Sequence, residues 1–96
     1  MDGNEFIATA KGIVARKADE IRVGTVLTTQ KMMKPIKENE VHVVWVTKVL
    51  QNNKGLFFAE RIDGFYFEVT YNGDKREFYV DTYKKVLNHR IRLEDA

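Results

Sequence analysis

Aromatic side chains are distributed very unevenly along this chain. Of eleven, only Phe6 precedes Trp45, and the other ten fall between Trp45 and Tyr83. Aromatic residues favour strands and dominate core packing, so a sheet belongs in the second half of the chain. Val41–Leu50 (VHVVWVTKVL) reads as the strongest strand, and Gln51-Asn52-Asn53-Lys54-Gly55 as the turn after it. Leu56–Ile62 follows as a second strand, then Asp63-Gly64, a composition favoured in two-residue hairpin loops. Such a loop would place Ile62 opposite Phe65, Glu60 opposite Phe67 and Phe58 opposite Val69.

Phe65–Tyr71 alternates cleanly, with Phe65, Phe67, Val69 and Tyr71 on one face. A loop of Asn72-Gly73 alone would set Val69 against Arg76 and Glu68 against Glu77, an unfavourable like-charge pair. A Gly73-Asp74 loop, or the four residues Asn72–Lys75, sets Val69 against Phe78 and Phe67 against Val80. The second register keeps the apolar set together, because a one-residue slip would turn it outward. On this reading Phe58, Ile62, Phe65, Phe67, Val69, Phe78 and Val80 form the core face. Phe57, Arg61, Tyr66 and Tyr79 lie on the reverse, interleaved with Ala59, Glu68, Thr70 and Glu77.

The N-terminal segment 4–22 carries Phe6, Ala10, Ile13, Val14, Ala18 and Ile21 at helical spacing, with Lys17 off the pattern. Asp2 followed by Glu5 resembles a capping box, and Gly24 is placed as a left-handed stop. Gly12 and the β-branched Ile7, Thr9, Ile13 and Val14 weaken helix formation, but a strand would put Phe6, Ala8, Ala10, Gly12 and Val14 on one face, a poor core row. The helix is the preferred reading. Residues 25–29 then read as a short strand, and residues 30–40, with Pro35, as a long flexible loop. Asp81 or Thr82 would cap a short C-terminal helix through about His89, with Tyr83, Val86, Leu87 and Ile91 on its apolar side.

Composition removes several chemistries. With no cysteine and no serine in 96 residues, there is no disulfide framework, thiolate zinc site, or serine or cysteine nucleophile. His42 and His89 have no second ligand at metal spacing, and no glycine-rich phosphate loop exists. A net charge of +2 argues for neither nucleic acid nor anionic membrane. The start is unlike a signal peptide, and the longest apolar run, near Val43–Val46, is far short of the ~18 residues of a membrane span. These features lead to the expectation of a soluble, cytoplasmic domain without cofactor or membrane partner.

Two groups of residues could carry binding. Phe57, Arg61, Tyr66 and Tyr79 would form an aromatic sheet face suited to base stacking, with Arg61 opposite Tyr66 as an alternative cation–π pair. Lys84, Lys85, His89 and Arg92 on the C-terminal helix, with Arg90 near its apolar side, would give a basic surface for phosphates or an acidic partner. Met32 and Met33 beside Lys31, Lys34 and Lys37 would suit an adaptable protein-binding loop. The stretch Asn53-Lys54-Gly55-Leu56-Phe57-Phe58-Ala59-Glu60, then Asp63-Gly64 and Phe65-Tyr66-Phe67-Glu68-Val69, locally resembles the paired RNA-binding motifs of cold-shock domains. Phe57 replaces the second glycine of that pattern and Glu68 its histidine, so the resemblance assigns no family.

The reading is therefore a single α+β domain over residues 1–96. It comprises an N-terminal helix, an antiparallel four- to five-stranded meander and a short C-terminal helix, with a small β-barrel as alternative if residues 6–18 are strand. The function expected is a small non-enzymatic binding or regulatory module acting through protein–protein contacts, with a homodimer as one means of covering strand edges. The alternative is a single-stranded nucleic-acid-binding module using the aromatic face and the basic C-terminal helix.

Overall fold

Asp2 and Glu5 start the fold. The Glu5 N–H donates to Asp2 Oδ1 at 2.8 Å and the Asp2 N–H donates to Glu5 Oε1 at 3.3 Å, the reciprocal bonds of a capping box. The first of these bonds does most to hold the Asp2 carboxyl below its ordinary pKa. In the computed structural model, which describes residues 1–25 and 34–96, helix α1 follows from this cap over Gly3–Thr25. Phe6, Ala10, Val14 and Ala18 recur every fourth residue and are buried along one stripe. A Cβ on Gly12 would lie 2.9 Å from Glu38 Oε1, so the glycine allows a neighbouring segment to approach. Gly24 does not stop the helix in the left-handed conformation; it lies within α1, which ends at Thr25. The rest of the strand expected over 25–29, and residues 30–33 of the loop, lie outside the described residues.

Four strands follow: β1 (Val41–Val49), β2 (Asn52–Ala59), β3 (Phe65–Asn72) and β4 (Glu77–Lys84). They pair in the order β1-β2-β3-β4, an open antiparallel meander rather than a barrel. A bulge between Val43 and Trp45 interrupts the β1–β2 register. The turn joining these strands is only Leu50-Gln51, because Val49 pairs with Asn52; the turn expected at 51–55 is largely strand.

The β2–β3 register differs from the sequence expectation, and the difference decides the site. Phe57 pairs with Phe67 and Gly55 with Val69, whereas Glu60 and Phe58 were expected there. The connection is not Asp63-Gly64 alone but residues 60–64, held out of the sheet by Arg61. An odd displacement exchanges the faces of β2. Phe57 and Ala59 are consequently buried, and Phe58 faces outward.

The β3–β4 register also moves, but by an even number of residues, so its faces survive. Val69 pairs with Val80, Tyr71 with Phe78 and Phe67 with Thr82. Phe67 is fully buried as expected, but its cross-strand neighbours are Phe57 and Thr82 rather than Glu60 and Val80.

The core lies between α1 and one sheet face. Phe6 sits 6.3 Å from Phe57 and 6.4 Å from Phe78, ring centre to ring centre, and Tyr71 lies 4.7 Å from Phe78. Ile36 is buried against this cluster, and its N–H donates to Asp19 Oδ1. The shortest dimension of the molecule is 19 Å. That is about one helix upon one sheet, given layer spacings of ~10 Å.

No C-terminal α-helix forms. β4 runs on through Tyr83 and Lys84, which pair with Tyr66 and Phe65, and the Lys85 N–H donates to the Gly64 carbonyl at 2.6 Å. After an irregular stretch comes a 3-10 turn at Leu93–Asp95. The apolar spacing that suggested a helix has no core to meet: Val86 is 94% exposed and Leu93 89%. Burial is what holds most helices together, and here there is none to gain.

Candidate functional site: the open sheet face

Alternation along each strand sends every second side chain away from α1. On that outer face the strand ends nearest the β2–β3 connection form an aromatic row. His42 pairs with Phe58 across β1 and β2, with ring centres 5.1 Å apart. Phe58 meets Tyr66 edge-on at 6.5 Å, and Tyr66 pairs with Tyr83. The next row holds Trp45 opposite Leu56, followed by Glu68 opposite Asp81. Beyond it lie Thr47, Lys54, Thr70 and Tyr79. Trp45, Phe58, Tyr66, Tyr79 and Tyr83 are between 37% and 52% exposed, although each sits on a central or edge strand.

Charge on this face is mainly negative. Glu60, Glu68, Glu77 and Asp81 are accompanied by Lys54, whose Nζ lies 3.7 Å from Glu68. His42 Nε2 lies 2.7 Å from Glu60 Oε2. The charge of Glu68 is the foremost cause that raises the Tyr83 phenol above its ordinary pKa. A concavity of about 310 Å³ opens beside the aromatic row, lined by Val44, Phe58, Glu60, Gly64, Tyr66 and Lys85 among others.

The residues singled out from sequence are scattered. Phe57 is buried under α1 and cannot stack on anything outside. Arg61 does not meet Tyr66; its Nε donates to Glu40 Oε2 at 2.7 Å and its terminal nitrogens to Glu40 Oε1 and the carbonyls of Lys34 and Pro35. That fork fastens the chain before β1 to the β2–β3 connection. Those bonds to Arg61 hold the Glu40 carboxyl below its usual pKa.

Tyr66 and Tyr79 do share the outer face, but the Glu68–Asp81 row separates them. Lys84 lies on the helix side, its Nζ 5.9 Å from the centre of the Phe65 ring. Lys85 borders the concavity, while His89 and Arg92 lie in the exposed tail. Of the loop expected to bind through Met32 and Met33, those two residues and Lys31 lie outside the described residues.

His42, Trp45, Phe58 and Tyr83 complete the face and were missed. The overlooked signal was Gly55-x-Phe57-x-Ala59. Small residues alternating with one large one suit positions beneath a helix, and a Cβ on Gly55 would lie 2.8 Å from the Phe57 ring.

One amphipathic helix laid across an open four-stranded meander, with an aromatic outer face, defines a two-layer α+β domain. The chain belongs to DUF6275, a family of unknown function, whose pattern it matches over residues 7–93. No curated protein and no solved structure matches it. Among the described residues no helix is long and apolar enough to cross a membrane, and no group of three or more acidic or histidine side chains is placed to hold a metal ion.

Proposed function

We propose that this chain is a non-enzymatic, cytoplasmic protein-binding module that presents the outer face of its sheet to a protein partner. The observation that carries the reading is the row His42–Phe58–Tyr66–Tyr83 with Trp45 beside it, aromatic and half open to water on a face that no other layer covers among the described residues. Tryptophan and tyrosine in a patch rimmed by charge are the side chains that dominate binding energy at protein interfaces. Glu60, Glu68, Glu77 and Asp81 on the same face oppose phosphate, which weighs against the nucleic-acid alternative. A cysteine-free chain of mixed charge needs no oxidising compartment, in keeping with the cytoplasm.

The test compares tagged wild type with Trp45→Ala/Tyr66→Ala in native, nuclease-treated lysate that also contains the untagged chain. Wild type should retain a protein partner, whether another protein or the untagged chain, and the folded variant should lose it. Capture that disappears with nuclease, or that the variant retains, overturns the proposal. So does affinity for a single-stranded oligonucleotide that falls steeply with salt and is lost in Tyr66→Ala/Tyr79→Ala.

A further inference from the structure

The last twelve residues have a chemistry of their own. Val86, Leu87, Ile91 and Leu93 are 94%, 71%, 70% and 89% exposed, a row of aliphatic side chains left in water. Lys85 precedes them and His89, Arg90 and Arg92 stand between them, with no acid in this segment before Glu94. The outer sheet face is the complement of this segment: aromatic, with Glu60, Glu68, Glu77 and Asp81 outnumbering Lys54. We infer that the C-terminal segment of one copy of this chain lies across the outer sheet face of a second copy, in a reciprocal exchange. The inference rests on the protein-binding reading of that face and names the partner.

Reach and area agree with it. Eight extended residues span up to ~27 Å, more than the ~15–20 Å width of four strands. The tail's aliphatic side chains and the aromatic row are both exposed, so each copy would bury surface twice, as donor and as recipient. A stable interface removes ~800 Å² from each partner. The concavity beside Gly64, about 310 Å³, has room for one aliphatic side chain of an arriving tail. Because each copy gives one tail and receives one, the contact closes as a two-fold dimer.

Sedimentation of the purified full chain tests the exchange. Wild type should be a dimer. Leu87→Asp/Ile91→Asp removes four apolar contacts per dimer and should weaken self-association at least ~100-fold. A face variant, Tyr66→Asp/Glu68→Lys, should also be monomeric. An equimolar mixture of the two variants should form a heterodimer, since one sound tail can still meet one sound face.

If the face variant fails to fold by circular dichroism, a synthetic peptide of residues 85–96 replaces it. That peptide should return wild-type dimer to monomer. A monomeric wild type, a tail variant that still dimerises, or variants (or peptide) without effect on one another would each overturn the exchange. A monomer whose tail folds back on its own sheet also counts against it. A monomeric wild type that retains face-dependent capture of another protein defeats the exchange alone and leaves the protein-binding reading standing.

Discussion

Phe57 and Phe58 are chemically identical neighbours with opposite fates. Phe57 is fully buried against Phe6 and pairs with Phe67, while Phe58 lies on the outer face, 37% exposed. Nothing within the Phe-Phe pair says which one faces inward; only the register does, and the Asp63-Gly64 signal pointed to the wrong one. Replacing each by alanine reads the register directly. Phe57→Ala should cost ~3–5 kcal/mol, the usual loss for a large core aromatic, and Phe58→Ala under ~1 kcal/mol, measured by urea unfolding. Equal losses would contradict the packing described.

Gly73 offers a second test, because a Cβ there would stand 2.2 Å from the Gln51 carbonyl oxygen. The β1–β2 and β3–β4 turns touch at this point, and the Gly73 N–H donates to Asn52 Oδ1. Backbone cannot retreat as a flexible side chain can. Gly73→Ala should therefore lower the urea midpoint by the equivalent of ~1–3 kcal/mol, as overpacking does. Gly3→Ala, where nothing lies within 4 Å, should leave it within about 0.5 kcal/mol.

Elements were legible where local chemistry decides them. The Asp2–Glu5 cap and the buried stripe Phe6, Ala10, Val14, Ala18 announced α1, and alternation announced the strands. Long-range choices were not legible. The β2–β3 connection is lengthened by the fork of Arg61 on Glu40, a contact spanning 21 residues that no turn rule anticipates. The C-terminal segment copied helical spacing, but Tyr83 and Lys84 gained strand partners and the rest found no surface to bury.

The Arg61–Glu40 fork also has a pH signature. Glu40 has a folded pKa below its ordinary value, so its stabilising contribution is fully present above the unfolded carboxyl pKa of ~4.3. The contribution disappears as the pH falls through the depressed folded value. Glu40→Gln should therefore be less stable than wild type at pH 6, and the gap should close on acidification below pH ~4, in urea titrations at successive pH values. A gap that persisted unchanged at low pH would show that the fork does not act through the Glu40 charge.

At the scale of the whole molecule the chain is too thin and too spread for its length. Its Cα radius of gyration is 15.7 Å, where about 12–13 Å is usual for 96 residues. A single helix can cover only one face of four strands, and the candidate face is the one it leaves. Sequence could point to aromatics on both faces but could not say which face α1 would take, because that follows from the β2 register. If tail exchange completes the second layer, much of the native burial arises between copies, and folding is coupled to association. Apparent stability must then depend on protein concentration by mass action. A tenfold increase adds RT ln 10 per dimer, roughly 0.7 kcal/mol per chain, which for a domain of this size raises Tm by about 3–5 °C. Calorimetry of wild type at two concentrations tenfold apart should show that rise. Leu87→Asp/Ile91→Asp should melt at one temperature whatever its concentration, and below wild type at the higher one, because its tail no longer contributes to a neighbour's core.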